Sequence, residues 1–142
     1  MTDEPREQQD TEQAAELAAA LPDPVREILD VLDEGKGEAL VVLDMREVSG
    51  FTDFMVLCSG RSEPHVRALA DAVGRHRRDS GAKPAHIEGR SAGAWILMDY
   101  FDLIVHVFTE ENRDFYQLEC LWRDAPLLEW KPEPPAEASP EA

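Results

Sequence analysis

The sequence has few cysteines and no long apolar run. Its two cysteines, Cys58 and Cys120, lie among apolar neighbours and far apart in the chain. This usage excludes a disulfide framework and predicts two small buried thiols in a reducing compartment. No stretch approaches the roughly twenty apolar residues that cross a bilayer, and the chain does not open with the apolar segment of a signal peptide. We therefore expect a cytoplasmic protein that does not enter a membrane.

Basic residues are also scarce. Lysine and arginine number 14 against 30 acidic residues, which gives a formal net charge of -16. Half of the excess lies in the two ends, and residues 24–130 hold twenty acids and twelve bases. Because proteins hold phosphate backbones with Lys and Arg that release counterions, direct nucleic-acid binding is disfavoured. The charge favours a basic protein partner, although solubility alone would also explain it.

The ends of the chain differ in pattern from its middle. Residues 1–22 are acidic with few apolar positions, and they are expected to form a mostly disordered extension. Residues 23–130 carry the apolar periodicity of one domain, which is long enough to bury a core. Residues 131–142 contain four prolines and three glutamates and are expected to form a disordered tail.

Apolar periodicity and cap residues predict three helices in the middle domain. They are expected to begin at the caps Asp23, Ser62 and Thr109. Pro24 suits the first position of the first helix, and Gly35 or Gly37 is expected to end that helix. Gly81 is expected to end the second helix.

Short apolar runs predict five strands. They cover residues 39–44, 53–59, 84–88, 95–98 and 103–108. Strands joined through a helix run parallel in one sheet, whereas hairpin strands run antiparallel. The predicted fold is therefore a mixed sheet of about five strands packed with helices, in the α/β or α+β class.

The hairpin over residues 95–108 is the most informative stretch. Both faces of its second strand are apolar, since Leu103, Val105 and Val107 alternate with Ile104, His106 and Phe108. This predicts a central strand with helices on at least one side. On the first strand, Trp95 and Asp99 are expected to share a face.

The first enzyme candidate is a nucleotidyltransferase. Such a site needs a Gly-Ser pair that opens a helix and two acids one residue apart on a strand to hold divalent metal. Ser59 and Gly60 faintly resemble the first part. The second part is missing, because Asp99 and Asp102 are three residues apart across a turn. No catalytic residue is therefore predicted.

A metal site and a reactive cysteine are the next candidates. Only His86 and Glu88 have a spacing that aims two ligands the same way, and one pair is a weak signal. His106 is interpreted as a core or interface histidine that finds a hydrogen bond. Burial in an apolar strand would raise the pKa of Cys58, which is the wrong direction for a nucleophile. We expect no metal and no cofactor.

A binding surface is the remaining candidate. Trp95, Tyr100 and Phe101 cluster at the hairpin beside Asp99 and Asp102. Trp and Tyr are favoured at binding hot spots because they bury much area with few rotatable bonds. The alternative is that Trp95 and Tyr100 are core residues. A turn with two acids is difficult to bury, which favours the binding surface.

Several segments, taken in order along the chain, resemble the ribosomal silencing factor family (iojap-like proteins). They are Val42–Arg46, Phe51–Val56, Ser59–Ser62, His86–Gly89, Trp95–Tyr100, Asp102–Phe108, Phe115–Glu119 and Leu121–Pro126. Together they span about residues 24–127. Phe101 stands where a glycine is expected in many relatives.

The resemblance implies a mixed-sheet domain related in fold to nucleotidyltransferases but without their catalytic acids. It implies binding to the large ribosomal subunit through its protein numbered fourteen, which would block joining with the small subunit and repress translation when nutrients are limiting. The contact residues it implies are Trp95, Asp99 and Tyr100. Glu110 and Glu111 are added on physical grounds, because carboxylates suit a basic ribosomal protein. A divergent nucleotidyltransferase is the alternative function, and an interaction module that uses the same aromatic residues for another partner is a third. An apolar patch left exposed without a partner also favours a homodimer of the free protein.

Overall fold

The computed structural model describes residues 12, 15–48, 50, 52–116 and 124–130, without the side chains of residues 114–116. Within these ranges the chain forms four helical segments: α1 (15–20), α2 (Asp23–Glu34), α3 (Glu63–Asp79) and α4 (Glu110–Tyr116). The strands within the same ranges are β1 (Glu38–Asp44), β2 (Phe54–Gly60), β3 (His86–Glu88), β4 (Trp95–Asp99), β5 (Leu103–Thr109) and β6 (Leu127–Glu129).

The described strands form a single mixed sheet in the order β3-β4-β5-β2-β1-β6. Strands β2 and β5 run parallel, and every other neighbouring pair is antiparallel. The predicted α/β class and the central position of β5 are confirmed. The sheet has one strand more than predicted. Strand β6 is three residues long and pairs with β1, and so short a run carries no periodicity in the sequence.

Helices α2 and α3 cover one face of the sheet. Their buried residues recur at helical spacing and pack on alternate residues of the strands. This helix-side core includes Val25, Ile28, Leu29, Leu32, Val66, Leu69, Ala70, Val73, Ile96, Met98, Leu103, Val105 and Val107. Each fully buried Val, Leu, Ile or Met stabilises the fold by roughly 1.5–3 kcal/mol relative to exposure, so this face contributes most of the described core.

The other face of the sheet has its own, smaller core. This opposite-face core contains Val41, Leu43, Met45, Met55, Leu57, Ile104, Phe108 and Ala125, with Trp95 and Leu97 packed at its margin. On α4, the guanidinium carbon of Arg113 lies 5.7 Å from the centroid of the Phe108 ring. The same guanidinium donates to the Ala39 carbonyl at 2.6 Å. The two faces predicted for β5 are therefore both buried, as its alternation indicated.

The helix starts follow the predicted caps with one exception. Ser62 accepts from the His65 amide at 3.2 Å, and Thr109 accepts from the Asn112 amide at 3.3 Å. The prediction that Asp23 caps α2 is wrong. Pro22 occupies the cap position, Asp23 is the first helical residue, and no side chain among the described residues caps this helix.

The end of α2 places a residue other than glycine in the left-handed conformation. Gly35 is the C-terminal cap, as expected, but it has φ −82°. The following Lys36 is exposed and adopts the left-handed conformation, with φ 70°. Glycine would adopt this conformation without the steric cost that a Cβ atom brings.

The N-terminal extension is partly ordered where the structure describes it. Leu17 and Leu21 are 4% and 5% exposed and belong to the helix-side core. Arg26 of α2 donates to the Ala18 carbonyl at 2.7 Å. Residues 15–22 therefore pack against the domain, although the boundary placed after residue 22 stays a prediction. The tail over residues 131–142 lies outside the described residues.

Candidate partner-binding surface

Trp95 begins β4 and lies half-buried at the margin of the opposite-face core. Its indole Nε1 donates to Nδ1 of His106 at 3.0 Å. The Trp95 ring also lies 5.7 Å from the Phe108 ring, measured between centroids. The indole is thus held by a hydrogen bond and by aromatic contacts with His106 and Phe108, while part of it stays open to solvent.

His106 is the residue that holds Trp95 in place. It is 3% exposed, and burial lowers its pKa to about 4, so the imidazole is neutral at physiological pH. Because Nδ1 accepts from Trp95, the ring proton resides on Nε2. Nε2 has no hydrogen-bond partner among the described residues. The interpretation of His106 as a core histidine that finds a hydrogen bond is confirmed.

Strand β3 extends the face that carries Trp95. His86 pairs with Asp99 and Glu88 pairs with Leu97, and paired residues project from the same face of a sheet. We call this face, formed by Trp95, Leu97, Asp99, His86 and Glu88, the β4 surface. It combines a half-buried indole and leucine with two carboxylates. The arrangement suits a basic partner that also has an apolar site.

The two residues of the candidate metal pair, His86 and Glu88, contact each other. His86 Nε2 lies 2.6 Å from Glu88 Oε2, and both side chains are exposed. In the described part of the chain, no three His, Cys, Asp or Glu residues gather at metal-binding distance. Cys58 is fully buried, and burial raises its pKa to about 12. Cys120 lies outside the described residues.

Tyr100 lies on the other side of the sheet from Trp95. It is 8% exposed and belongs to the helix-side core, with the Arg77 guanidinium 5.7 Å from its ring centroid. Burial raises the pKa of its hydroxyl, which has no hydrogen-bond partner among the described residues. The expectation that Tyr100 stays exposed in the acidic turn is wrong. Strand alternation continues one residue past β4 and gives Tyr100 the face of Ile96 and Met98.

Phe101 is the exposed aromatic of this turn. It is 69% exposed and has φ 71°, in the left-handed region. Its amide donates to Oδ1 of Asp99 at 2.8 Å. The sequence predicts Phe101 as part of the aromatic cluster, but not as one of the contact residues. The glycine expected at this position was the signal, because a positive φ is the usual reason for glycine.

Glu110 and Glu111 are exposed in the first turn of α4. They follow the end of β5, where Phe108 pairs with Trp95, and so they lie at the Trp95 end of the hairpin. The Arg61 guanidinium bonds Glu38 at 2.9 Å and lowers the pKa of that carboxyl, with a smaller contribution from a hydrogen bond to Glu110. The sheet end beyond Trp95 is therefore rich in carboxylates.

The residues that faintly resembled a nucleotide site serve the fold. Ser59 is 2% exposed, and its hydroxyl accepts from Arg113 at 3.0 Å. Asp44 accepts two hydrogen bonds from the Arg46 guanidinium, at 2.9 and 2.7 Å, and the pKa of Asp44 is lowered by that contact. Among the described residues, the carboxylates of this region are thus spread out instead of gathered to hold a metal ion.

Among the helices that the structure describes, none is long and apolar enough to cross a bilayer.

The chain was compared with known proteins. A family model described as "Ribosomal silencing factor during starvation" matches residues 18–142. The ribosomal silencing factor of Halalkalibacterium halodurans is 37% identical over 101 residues, which cover 71% of this chain and 86% of that protein. That of Bacillus subtilis is 35% identical over 97 residues, which cover 68% and 82%.

Solved structures agree with the described fold. A crystal structure of a protein from Chromobacterium violaceum superposes with a TM-score of 0.70 at 28% identity. The match covers 84% of this chain and 97% of that one.

Proposed function

The chain belongs to the ribosomal silencing factor family, and from this premise we propose that it binds the large ribosomal subunit and blocks its joining with the small subunit. The proposed contact is the large-subunit protein numbered fourteen, as the sequence resemblance implies. Occupation of the joining surface would repress translation when nutrients are limiting. The cytoplasmic location stays a prediction.

The observation that supports this proposal most is the fixed, half-open indole of Trp95. A side chain already held by His106 at 3.0 Å loses little conformational freedom when a partner covers it. Tryptophan anchors of this kind are enriched among residues whose truncation costs more than about 2 kcal/mol of binding free energy. Trp95 is therefore proposed as the central anchor, with Asp99 as the charged contact beside it.

Electrostatics supports a basic partner. Asp99 and Glu88 lie on the β4 surface, and Glu110 and Glu111 lie at its Trp95 end. The protein as a whole carries a net charge of -16. Such a surface speeds encounter with a positively charged protein more than it raises affinity. Glu110 and Glu111 are thus proposed as steering contacts. Buried Tyr100 would contribute by supporting the turn from beneath.

We propose that the chain acts by binding and not by catalysis. The rival nucleotidyltransferase function needs two acids that share a metal, and the described carboxylates closest to that role are bonded elsewhere. Asp44 is bonded to Arg46, and the Asp99 carboxylate accepts the amide of Phe101. The half-exposed apolar residues of the β4 surface also favour a homodimer of the free protein, in which the surface would be covered until the ribosome is bound.

Co-sedimentation with separated ribosomal subunits at physiological salt tests the proposal. The wild type is expected to travel with the large subunit and to reduce the joined-ribosome peak. Trp95→Ala is expected to bind about thirtyfold more weakly, which corresponds to about 2 kcal/mol. Ile87→Ala is the matched control, because Ile87 is an exposed apolar residue on the adjacent strand that pairs with Met98 on the opposite face.

Two outcomes decide between the candidates. Binding by the wild type and by Ile87→Ala but not by Trp95→Ala supports the proposal. A wild type that stays at the top of the gradient contradicts it. In that case, calorimetric titration with nucleotides and Mg²⁺ would test the enzyme alternative.

A further inference from the structure

The turn between β4 and β5 holds an aromatic residue in a conformation that suits glycine. Phe101 has φ 71°, and three hydrogen bonds fix the turn around it. The Phe101 amide donates to Asp99 Oδ1 at 2.8 Å, the Asp102 amide to the Tyr100 carbonyl at 2.9 Å, and the Tyr100 amide to the Leu103 carbonyl at 2.9 Å. A residue with a Cβ atom pays a steric cost in this region that glycine does not.

In the free protein, packing of the Phe101 side chain offsets little of that steric cost. It is 69% exposed, which makes it the most exposed large apolar side chain among the described residues. The others in that set, Val48, Ile87 and Leu127, are 38–42% exposed. Backbone strain and an exposed ring are both unfavourable for the isolated chain, so intramolecular packing gives no account of Phe101.

We propose that Phe101, in the turn that follows the β4 surface, is a second apolar anchor, which inserts into an apolar site on the basic protein partner. This inference rests on the proposed function and names a specificity residue for the same surface. Trp95 and Asp99 lie four residues apart on β4, or about 13 Å at ordinary strand rise. Phe101 follows Asp99 at the far end, so the two aromatic anchors bracket the strand.

The backbone of the turn that carries the ring is held by hydrogen bonds. The Asp102 carbonyl accepts from the amides of Asp53 and Phe54, at 2.9 and 3.1 Å, and this ties the turn to the start of β2. Tyr100 beneath it is buried in the helix-side core. Because the turn is already ordered, binding through Phe101 costs little loop entropy.

The carboxylates near Phe101 indicate which kind of partner would bind there. Asp99 and Asp102 flank Phe101 in the chain, so a partner's apolar site must have a neutral or basic margin. Carboxylates at this position repel the phosphates of nucleic acid and of anionic lipid headgroups. A second copy of the chain carries the same net charge of -16. A basic protein surface is the occupant that these charges favour.

Two substitutions of Phe101 distinguish the effect of backbone strain on stability from the effect of the ring on binding. Phe101→Gly removes both the ring and the strain, so we expect a higher urea midpoint and at least roughly tenfold weaker binding to the large subunit. Phe101→Ala removes the ring but keeps a Cβ atom, so we expect the same loss of binding without the gain in stability. Lys36→Gly is the matched control for stability, since Lys36 is exposed and has φ 70°. We expect it to raise the midpoint and leave binding unchanged.

The experiment distinguishes this inference from the proposed function. If the wild type binds and Trp95→Ala does not, while Phe101→Gly and Phe101→Ala bind as the wild type does, Phe101 is no anchor and the proposed function stands. If the wild type does not bind, the proposed function itself fails. Sedimentation velocity adds one further test. A free wild-type dimer that either Phe101 variant converts to monomer would assign the ring to self-association and overturn the inference.

Discussion

The two faces of β4 have different uses, although their residues alternate along one strand. Ile96, Met98 and Tyr100 point into the helix-side core, at 8% exposure or less. Trp95, Leu97 and Asp99 point the other way and are all half-exposed. The helices therefore decide which residues stabilise the fold and which are available to a partner. Neighbouring residues in the sequence should therefore differ in how much their substitution lowers stability and in how much it weakens binding.

The largest effect is expected from adjacent residues on β4. Ile96 is fully buried, and Ile96→Ala should lower the free energy of unfolding by about 3 kcal/mol, within the usual 2–5 kcal/mol for such truncations. Leu97→Ala, on the half-exposed face, should cost about 1 kcal/mol. Urea denaturation monitored by circular dichroism measures both. Equal losses at the two positions would contradict the asymmetry of the faces.

The next effect concerns pH and the buried His106. Its pKa is about 4 in the folded protein against 6.5 as the ordinary value, so the unfolded chain takes up a proton that the folded chain refuses. Stability should fall as pH drops from about 6.5 to 4, with a total loss of about 3 kcal/mol. Denaturation midpoints measured at intervals through this window test the expectation.

His106→Gln is the control for that pH series. Glutamine keeps an acceptor for the Trp95 indole and does not titrate, so the loss between pH 6.5 and 4 should shrink in this variant. The carboxyls of Asp44 and Asp71 have pKa values lowered by Arg46 and Arg90, so their stabilisation is lost only at lower pH. An unchanged slope above pH 4 in the variant would show that His106 is not the group responsible.

The smallest effect is expected at the margin of the surface. Glu110→Gln and Glu111→Gln should each weaken binding by about 0.5 kcal/mol or less and should mainly slow association. Stopped-flow association at low and high salt measures this, and the difference from the wild type should vanish at high salt. Equivalent changes at exposed Glu47, which lies in the β1–β2 loop, are the control. A loss of binding affinity as large as that of Trp95→Ala would show that Glu110 and Glu111 are anchors and not steering contacts.

Much of the fold follows from local sequence pattern. The alternation along residues 103–108 predicts a strand buried on both faces, and the caps Ser62 and Thr109 predict two helix starts. The third cap fails because Pro22 supplies an extended residue before α2, so that Asp23 is left inside the helix. Strand β6 is missed because its three residues are defined by pairing with β1, which local pattern does not contain.

The candidate site is predictable only in part, for a similar reason. Trp95 and Asp99 share a face by simple alternation, which the sequence displays. The same alternation, carried one residue further, would have buried Tyr100, but two acids in the turn argued for exposure. The hydrogen bond between Trp95 and His106 joins residues diagonal across two strands, so it depends on a register that local sequence does not specify. The backbone conformation of Phe101 likewise comes from the turn as a whole.

Hydroxyl-radical footprinting of the protein, free and bound to the large ribosomal subunit, tests whether the β4 surface is the contact, because it reports side-chain exposure residue by residue. We expect that oxidation of Trp95 and Phe101 falls on binding, while oxidation of Ile87 and Trp130 does not change. Protection of Ile87 and Trp130, with Trp95 and Phe101 as reactive as in the free protein, would contradict the assignment of the β4 surface as the contact with the ribosome.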